Sequence, residues 1–229
     1  MRRTVFKEIA HFARIGKEIT KLQKQHPRAD FADMMAERVD AQGFSDVRRE
    51  LVGDLTGRVL DIGCGTGAMF KYFSPQARVE AIEPEQDFLE LALKKARSTG
   101  PHVHAHAGDG MKLDYPDGSF DAVVFGLVLC SVPSVEKTLA EAHRVLRVGG
   151  QLRALEHVRS EAAVSGLLMD MFNPFWMKLN AQNCRWNRNP LAAIEAAGFA
   201  LDDVMSFKRF DTVMPAFPMR RVRGHKTAA

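Results

Sequence analysis

The stretch Val59-Leu60-Asp61-Ile62-Gly63-Cys64-Gly65-Thr66-Gly67 constrains this chain more than any other. A short apolar run ends in an acidic residue and then in three glycines at alternate positions. Glycine reaches positive φ at no steric cost and leaves open the space a Cβ would fill, so a ligand can approach the backbone closely. Residues 68–73 are predicted to form a helix after the turn. That helix N-terminus would offer free N–H groups and a partial positive charge. The spacing Asp-x-Gly-x-Gly-x-Gly differs from the Gly-x-Gly-x-x-Gly of dinucleotide sites.

From Arg58 onward, short apolar runs alternate with amphipathic segments, the pattern of βαβ units around a parallel sheet. Strands are predicted over 59–62, 79–82, 102–106, 120–125 and 151–157, with helices over 85–98 and 134–146. The alternation then loosens. Residues 162–179 and 191–197 read as helices, 199–207 as a strand, and the basic tail as a last antiparallel strand. The expected class is α/β: a Rossmann-like, seven-stranded, mostly parallel sheet with helices on both faces and an N-terminal helical extension. In that extension Val5, Phe6, Ile9, Phe12, Ile15, Ile19 and Leu22 recur at intervals that mark an amphipathic helix with a basic polar face. The apolar stripe fits a helix packed on the domain first, then a lid over a pocket, then a membrane-surface helix. The expected division is an extension of residues 1–45 and a main domain of 46–229.

At 229 residues the chain suits one domain. Its three cysteines, Cys64, Cys130 and Cys184, form no CxxC pair. Neither a disulfide framework nor a zinc site is expected, and a reducing, cytoplasmic setting is the default. No apolar run reaches membrane-spanning length, and the N-terminus lacks the apolar core of a signal peptide. The net charge of +4 is unevenly placed. Residues 1–28 carry eight Lys/Arg against two Glu, and 208–226 carry six against one Asp, so the middle is net acidic. The basic ends suit either an anionic surface, which would be a peripheral membrane contact through residues 1–28, or plain solvation.

Glu83 follows Asp61 by 22 residues at the end of the second strand, and Gly108-Asp109-Gly110-Met111 follows the third. With these in order, the glycine stretch resembles motif I of the class I S-adenosylmethionine (SAM) dependent methyltransferases. The resemblance implies SAM as cofactor. It implies that Asp61, Gly63, Cys64, Gly65, Thr66 and Gly67 wrap the methionine part and ribose. Glu83, with Pro84 beside it, would accept the ribose hydroxyls, and Asp109 the adenine amino group, with Gly110 and Met111 against the ring. Gly126, Leu127 and Val128 would line the seam between SAM and acceptor and offer carbonyls to the SAM ammonium. Cys130 reads as a small core residue, because methyl transfer needs no enzyme nucleophile. His102, His104 and His106 alternate and would share one strand face. They lack a nearby acidic partner, so no metal residue is assigned.

A narrower likeness rests on Leu127 to Val132, Arg144 to Arg147 with Gly149-Gly150, Glu156-His157-Val158, Asn173 to Trp176, and Asn183-Cys184. These words resemble the methyltransferase-like branch that includes animal thiol methyltransferases. The N-terminal helix is basic and amphipathic where that branch has an apolar anchor, and residues 185–188 match only loosely. The expected reaction is direct in-line transfer to a small, partly apolar acceptor, thiol first, with His157 as the candidate base and the methionines and aromatics of 167–177 as an apolar wall. The alternatives are a phospholipid amine N-methyltransferase at a membrane surface, or a non-enzymatic SAM-fold binding module. Nucleic acid is disfavoured as a partner, because Leu129-Cys130-Ser131-Val132 stands where amino-methylating enzymes of that kind carry Asn/Asp-Pro-Pro-aromatic.

Overall fold

The computed structural model describes residues 20–100, 102–179, 183–209 and 217–228. Strands β1 (Gly57–Ile62), β2 (Ala77–Glu83), β3 (Val103–Ala107), β4 (Phe120–Gly126), β5 (Leu146–His157), β6 (Phe199–Arg209) and β7 (Phe217–Lys226) form one sheet. Its order is β3-β2-β1-β4-β5-β7-β6. The first five strands pair in parallel, and β7 runs antiparallel to β5 and β6. A parallel strand buried on both faces is apolar at successive rather than alternate positions, which is why the buried parts of β1 and β4, Val59-Leu60 and Ala122–Phe125, read as short apolar runs. Val59, Val79, Ala122 and Val124 pack on one face against Leu51 of helix α2 (Ser45–Val52) and Ala92 of α3 (Gln86–Thr99). Leu60, Ile62, Val123, Phe125 and Leu152 face the other way, against Leu139 and Ala142 of α4 (Val135–Val145). The strand order reverses direction between β1 and β4. In open α/β sheets this point, beyond the carboxyl ends of the strands, is where a ligand crevice opens.

The extension holds a helical stretch over 20–25 and a helix over Arg28–Val39, here α1. A short π-helical segment, Asp40–Phe44, joins α1 to α2, with Gly43 at φ 92°. The expected division at residue 45 falls at this junction. Arg28 pins α1 to the start of α3 through Glu85 at 2.6 Å and Asp87 at 2.8 Å. The rest of the predicted amphipathic helix lies outside the described residues. The remaining helices are α5 (Ala163–Leu179) and α6 (Pro190–Ala196). Among the described residues, no helix is long and apolar enough to cross a membrane.

Two local expectations need correction. Residues 68–73 do not form an α-helix: turns lead into one 3-10 turn, Phe70–Tyr72. Gly67 holds φ 78°, and Pro75 disfavours helical geometry at Ser74, which leaves too few residues for a helix nucleus. The glycine loop therefore carries no helix macrodipole behind it. In addition, β5 begins at Leu146, directly after α4, instead of at Gln151. Gly149, at φ 70°, lies within β5 where its register on β4 shifts between Leu146 and Gln151.

Candidate active site

A cavity of about 540 Å³ opens at the carboxyl ends of β1, β2, β4 and β5, within the size range of small-molecule sites. Its first wall is the glycine loop. Gly63, Gly65 and Gly67 hold φ of 70°, 58° and 78°. A Cβ on Gly63 would stand 2.9 Å from both Val128 methyls, and one on Gly67 2.6 Å from the Phe70 ring, whereas a Cβ on Gly65 would meet nothing within 4 Å. Gly63 and Gly67 are therefore required by packing. Gly65 leaves its space to the cavity.

Asp61 lies at the floor, 1% exposed, and neither carboxylate oxygen has a hydrogen-bond partner. Burial pushes its pKa up to about 7, opposed by the charge of Arg48 and reinforced by Glu83. A buried carboxylate without a donor is expensive, so Asp61 is poised to take a cationic or N–H donor from a ligand. Arg48 does not supply one directly: its Nε donates to Asp40 at 2.9 Å and its Nη1 points at Met69 Sδ. Tyr72 also donates to Asp40, at 2.7 Å.

Glu83 ends β2. Its Oε2 accepts the Gly65 N–H at 2.9 Å and its Oε1 the Glu85 N–H at 3.1 Å, so the carboxylate is oriented from both sides and each oxygen keeps acceptor capacity. Burial raises its pKa against those two N–H groups. Asp109 is exposed at the cavity edge and accepts the Met111 N–H at 2.8 Å, an Asx turn. That N–H is thereby engaged within the loop. Cys64, Thr66, Pro84, Gly110, Met111, Gly126, Leu127 and Val128 also line the cavity; Gly67 shapes the loop from behind. Thr66 donates through its hydroxyl to Asp33 of α1 at 2.7 Å, and Lys95 of α3 pairs with the same carboxylate. Through these contacts α1 is held over the loop, and Phe31, Met35 and Val39 roof the cavity.

The far wall begins where β4 ends. Leu127 sits at φ 65°, a costly region for a side chain with a Cβ. The strain is held by structure on either side. Leu127 N–H donates to the Leu155 carbonyl at 2.8 Å, while Val128, Leu129 and Cys130 donate to the Glu156 carboxylate at 2.8, 2.9 and 3.2 Å. Glu156 is fully buried, and burial pushes its pKa well above the usual carboxylate range. The Val128 carbonyl is taken by Ser131 and Val132 N–H groups. Glu156 was legible only as the end of a strand; its part in holding this turn was not.

His157, the candidate base, lines the cavity half-buried at the end of β5. Its Nδ1 is 3.5 Å from Cys184 Sγ. Cys130 joins them, so that one donor atom from each of the three side chains lies within 4.8 Å of the others. These positions are far apart in sequence, and spacing gave no sign of the cluster. The alternating histidines do not converge: His106 bonds Tyr115 at 2.8 Å, and His104 is exposed on β3, the edge strand. Trp176 and Trp186 stack at 4.8 Å behind this wall, and Trp176, with Met219, reaches the cavity.

Residues 60–154 match the family model described as a methyltransferase domain. Human thiol S-methyltransferase TMT1A is 38% identical over 148 residues, 62% of this chain and 59% of that one. Rat thiol S-methyltransferase TMT1B is 35% identical over 167 residues, 67% of each chain. The chain thus spans about three fifths to two thirds of the length of these relatives. Among solved structures, the [4+2]-cyclase SpnF superposes with a TM-score of 0.66 at 22% identity, covering 82% of each chain. That likeness shows the fold alone, and a cyclase on this fold illustrates that architecture does not name a reaction.

Proposed function

Because the chain belongs to the SAM-dependent methyltransferase family, we propose that it transfers the SAM methyl group directly and in line to a small, partly apolar acceptor, with a thiol favoured. The observation that carries this reading is one continuous cavity. An unpartnered carboxylate and an open glycine loop lie at one end, and sulfur, imidazole and aromatic side chains at the other. The relatives named thiol S-methyltransferases support the thiol.

On this reading the SAM ammonium completes Asp61, the ribose hydroxyls use the free acceptor capacity of Glu83, and adenine lies toward Asp109 and Met111. Residues 28–44 act as the lid. The SAM sulfonium is already a strong electrophile, so the chain's work is to align acceptor and methyl and to exclude water. Such orientation supplies up to roughly 7–11 kcal/mol in favourable intramolecular cases. A thiol of pKa about 8.5 is partly ionised near neutrality, and His157 is the candidate to take the remaining proton.

The test is a panel of thiols, phenols, amines and phospholipids, read by S-adenosylhomocysteine release and by product mass. A methyl thioether formed in step with S-adenosylhomocysteine is the expected result. One observation favours a second reading, a phospholipid amine acceptor at a membrane. Val164, Leu167, Met171, Phe172 and Phe175 expose an apolar stripe along α5, the kind of face a lipid interface accepts. Methylated phospholipid with untouched thiols would replace the thiol reading. SAM binding with no product in any class would leave a binding module.

A further inference from the structure

Cys130, His157 and Cys184 come from three separate segments that hydrogen bonds tie to one another. Cys130 lies in the turn after β4, where Glu156 accepts its N–H. His157 is the last residue of β5. Cys184 belongs to the loop before α6, which is tied down on both sides. Arg185 N–H donates to the Cys130 carbonyl at 2.8 Å, and Trp186 Nε1 to the Met169 carbonyl at 2.9 Å. Arg188 reaches the Leu129 and Val132 carbonyls at 2.6 and 2.8 Å. Three soft or borderline donors are thus brought to one point by hydrogen bonds that do not involve the three donor side chains.

Their spacing fits a tetrahedral metal. With metal–sulfur near 2.3 Å and metal–nitrogen near 2.0–2.1 Å, the sulfur–nitrogen edge of a tetrahedron is about 3.6 Å and the sulfur–sulfur edge about 3.8 Å. The Cys184–His157 separation is 3.5 Å, and no pair in the set exceeds 4.8 Å. Two thiolates balance a divalent charge, and Ser131 Oγ, 3.5 Å from Cys130 Sγ, is a hydroxyl beside one of them. A set of two Cys and one His is a zinc donor set, and three protein ligands leave a fourth position open, as catalytic zinc sites do. Here His157 and Cys184 line the cavity while Cys130 lies behind them.

We propose that Cys130, His157 and Cys184 form a Zn2+ site whose open fourth position faces the cavity and takes the sulfur of the acceptor. The metal site stands on the geometry alone; the acceptor's part in it rests on the thiol reading above. An incoming thiol binds through sulfur and gives its proton to solvent, since a coordinating thiol is deprotonated outright. A sulfur lone pair then forms the bond to the SAM methyl. The methyl–sulfonium bond breaks, and its electron pair stays on the sulfur of S-adenosylhomocysteine. The product is a neutral thioether, a poorer ligand than a thiolate, and it leaves. In this arrangement His157 is a ligand rather than a free base.

The test is a Co2+ titration of the full chain, reduced with a phosphine and followed by absorption. Expected are one equivalent bound, sulfur-to-cobalt charge transfer, and the intense ligand-field bands of a tetrahedral site, all displaced by Zn2+. Cys184→Ala and His157→Ala should weaken binding beyond the roughly 10–100-fold that loss of an outer contact costs, while SAM binding reports that each variant is folded. Adding a small thiol should shift the ligand-field bands. Failure of the unmutated chain to bind Co2+ or Zn2+, or binding that survives Cys184→Ala unchanged, overturns the site. Thiol methylation at full rate by a chain that binds no metal overturns the site and leaves the proposed function standing. Binding through these residues, with bands indifferent to thiols and no thiol methylated, upholds the site and overturns its acceptor.

Discussion

At the end of the cavity proposed for SAM, Asp61, the glycine loop, Glu83 and Asp109 lie at or just beyond the ends of β1, β2 and β3, so each sits where its own strand delivers it. At the end proposed for the acceptor, Cys130, His157 and Cys184 are assembled across the turn after β4, the end of β5 and a loop beyond α5, with a stacked pair of tryptophans behind them. The first end is fixed by local turn chemistry, the second by long-range packing. On the proposed function, an electrophile placed by local rules and an acceptor placed by tertiary contacts would let one be kept while the other varies.

Substitutions should separate the two ends. Trp186 is 3% exposed and stacked on Trp176. Trp186→Ala is expected to cost about 3–5 kcal/mol of stability, the usual range for a buried Trp, and to abolish acceptor turnover; thermal unfolding with and without SAM measures it. Retention of SAM binding in the folded fraction would sharpen the contrast, whereas an unchanged melting temperature would break it. Next in size is Asp61→Ala, which removes a buried carboxylate awaiting a donor. Loss of one partner of a buried charged contact costs about 2–5 kcal/mol, so SAM affinity should fall by about 30-fold or more, with the melting temperature of the free chain held or raised.

The same carboxyl gives a pH dependence of known sign. Its pKa of about 7 in the free chain means it is protonated below that value, whereas the proposed pairing with the SAM ammonium needs the carboxylate. Binding must therefore release a proton at low pH. Affinity should fall as pH drops from 7 to 5.5, with a limiting slope of about tenfold per unit. Asp61→Asn should flatten the profile, and a flat profile in the unmutated chain would contradict the assignment. The smallest effect concerns Gly65→Ala. With nothing within 4 Å of the added methyl, only the cost of positive φ remains, about 1–2 kcal/mol. Gly67→Ala should unfold the loop more readily because the Phe70 ring is in the way. If SAM affinity falls more in the Gly65 variant than its stability does, the open space there belongs to the ligand.

Much of the first end was readable in the sequence. Continuous apolar runs fix buried parallel strands, alternate glycines fix the loop, and an acid at the end of β2 has little choice of position. The exception, residues 68–73, failed because Gly67 and Pro75 shorten the segment below what a helix needs, so local turn geometry overrode propensity. The second end was illegible for a different reason. Cys130, His157 and Cys184 share no spacing, and their approach depends on Arg185, Trp186 and Arg188 folding the loop back onto the turn after β4. Glu156 likewise read as a strand terminus, while its chemistry lies in three backbone N–H groups 26 to 28 residues earlier. The seat of α1 on the glycine loop, through Asp33 to Thr66, is likewise a tertiary fact.

Calorimetric titration with SAM of the unmutated chain, beside Asp61→Ala and Cys184→Ala, tests the division most directly. The expected result is micromolar binding by the unmutated chain and by Cys184→Ala, and loss of measurable heat in Asp61→Ala. No binding by the unmutated chain, or equal weakening in both variants, would contradict it.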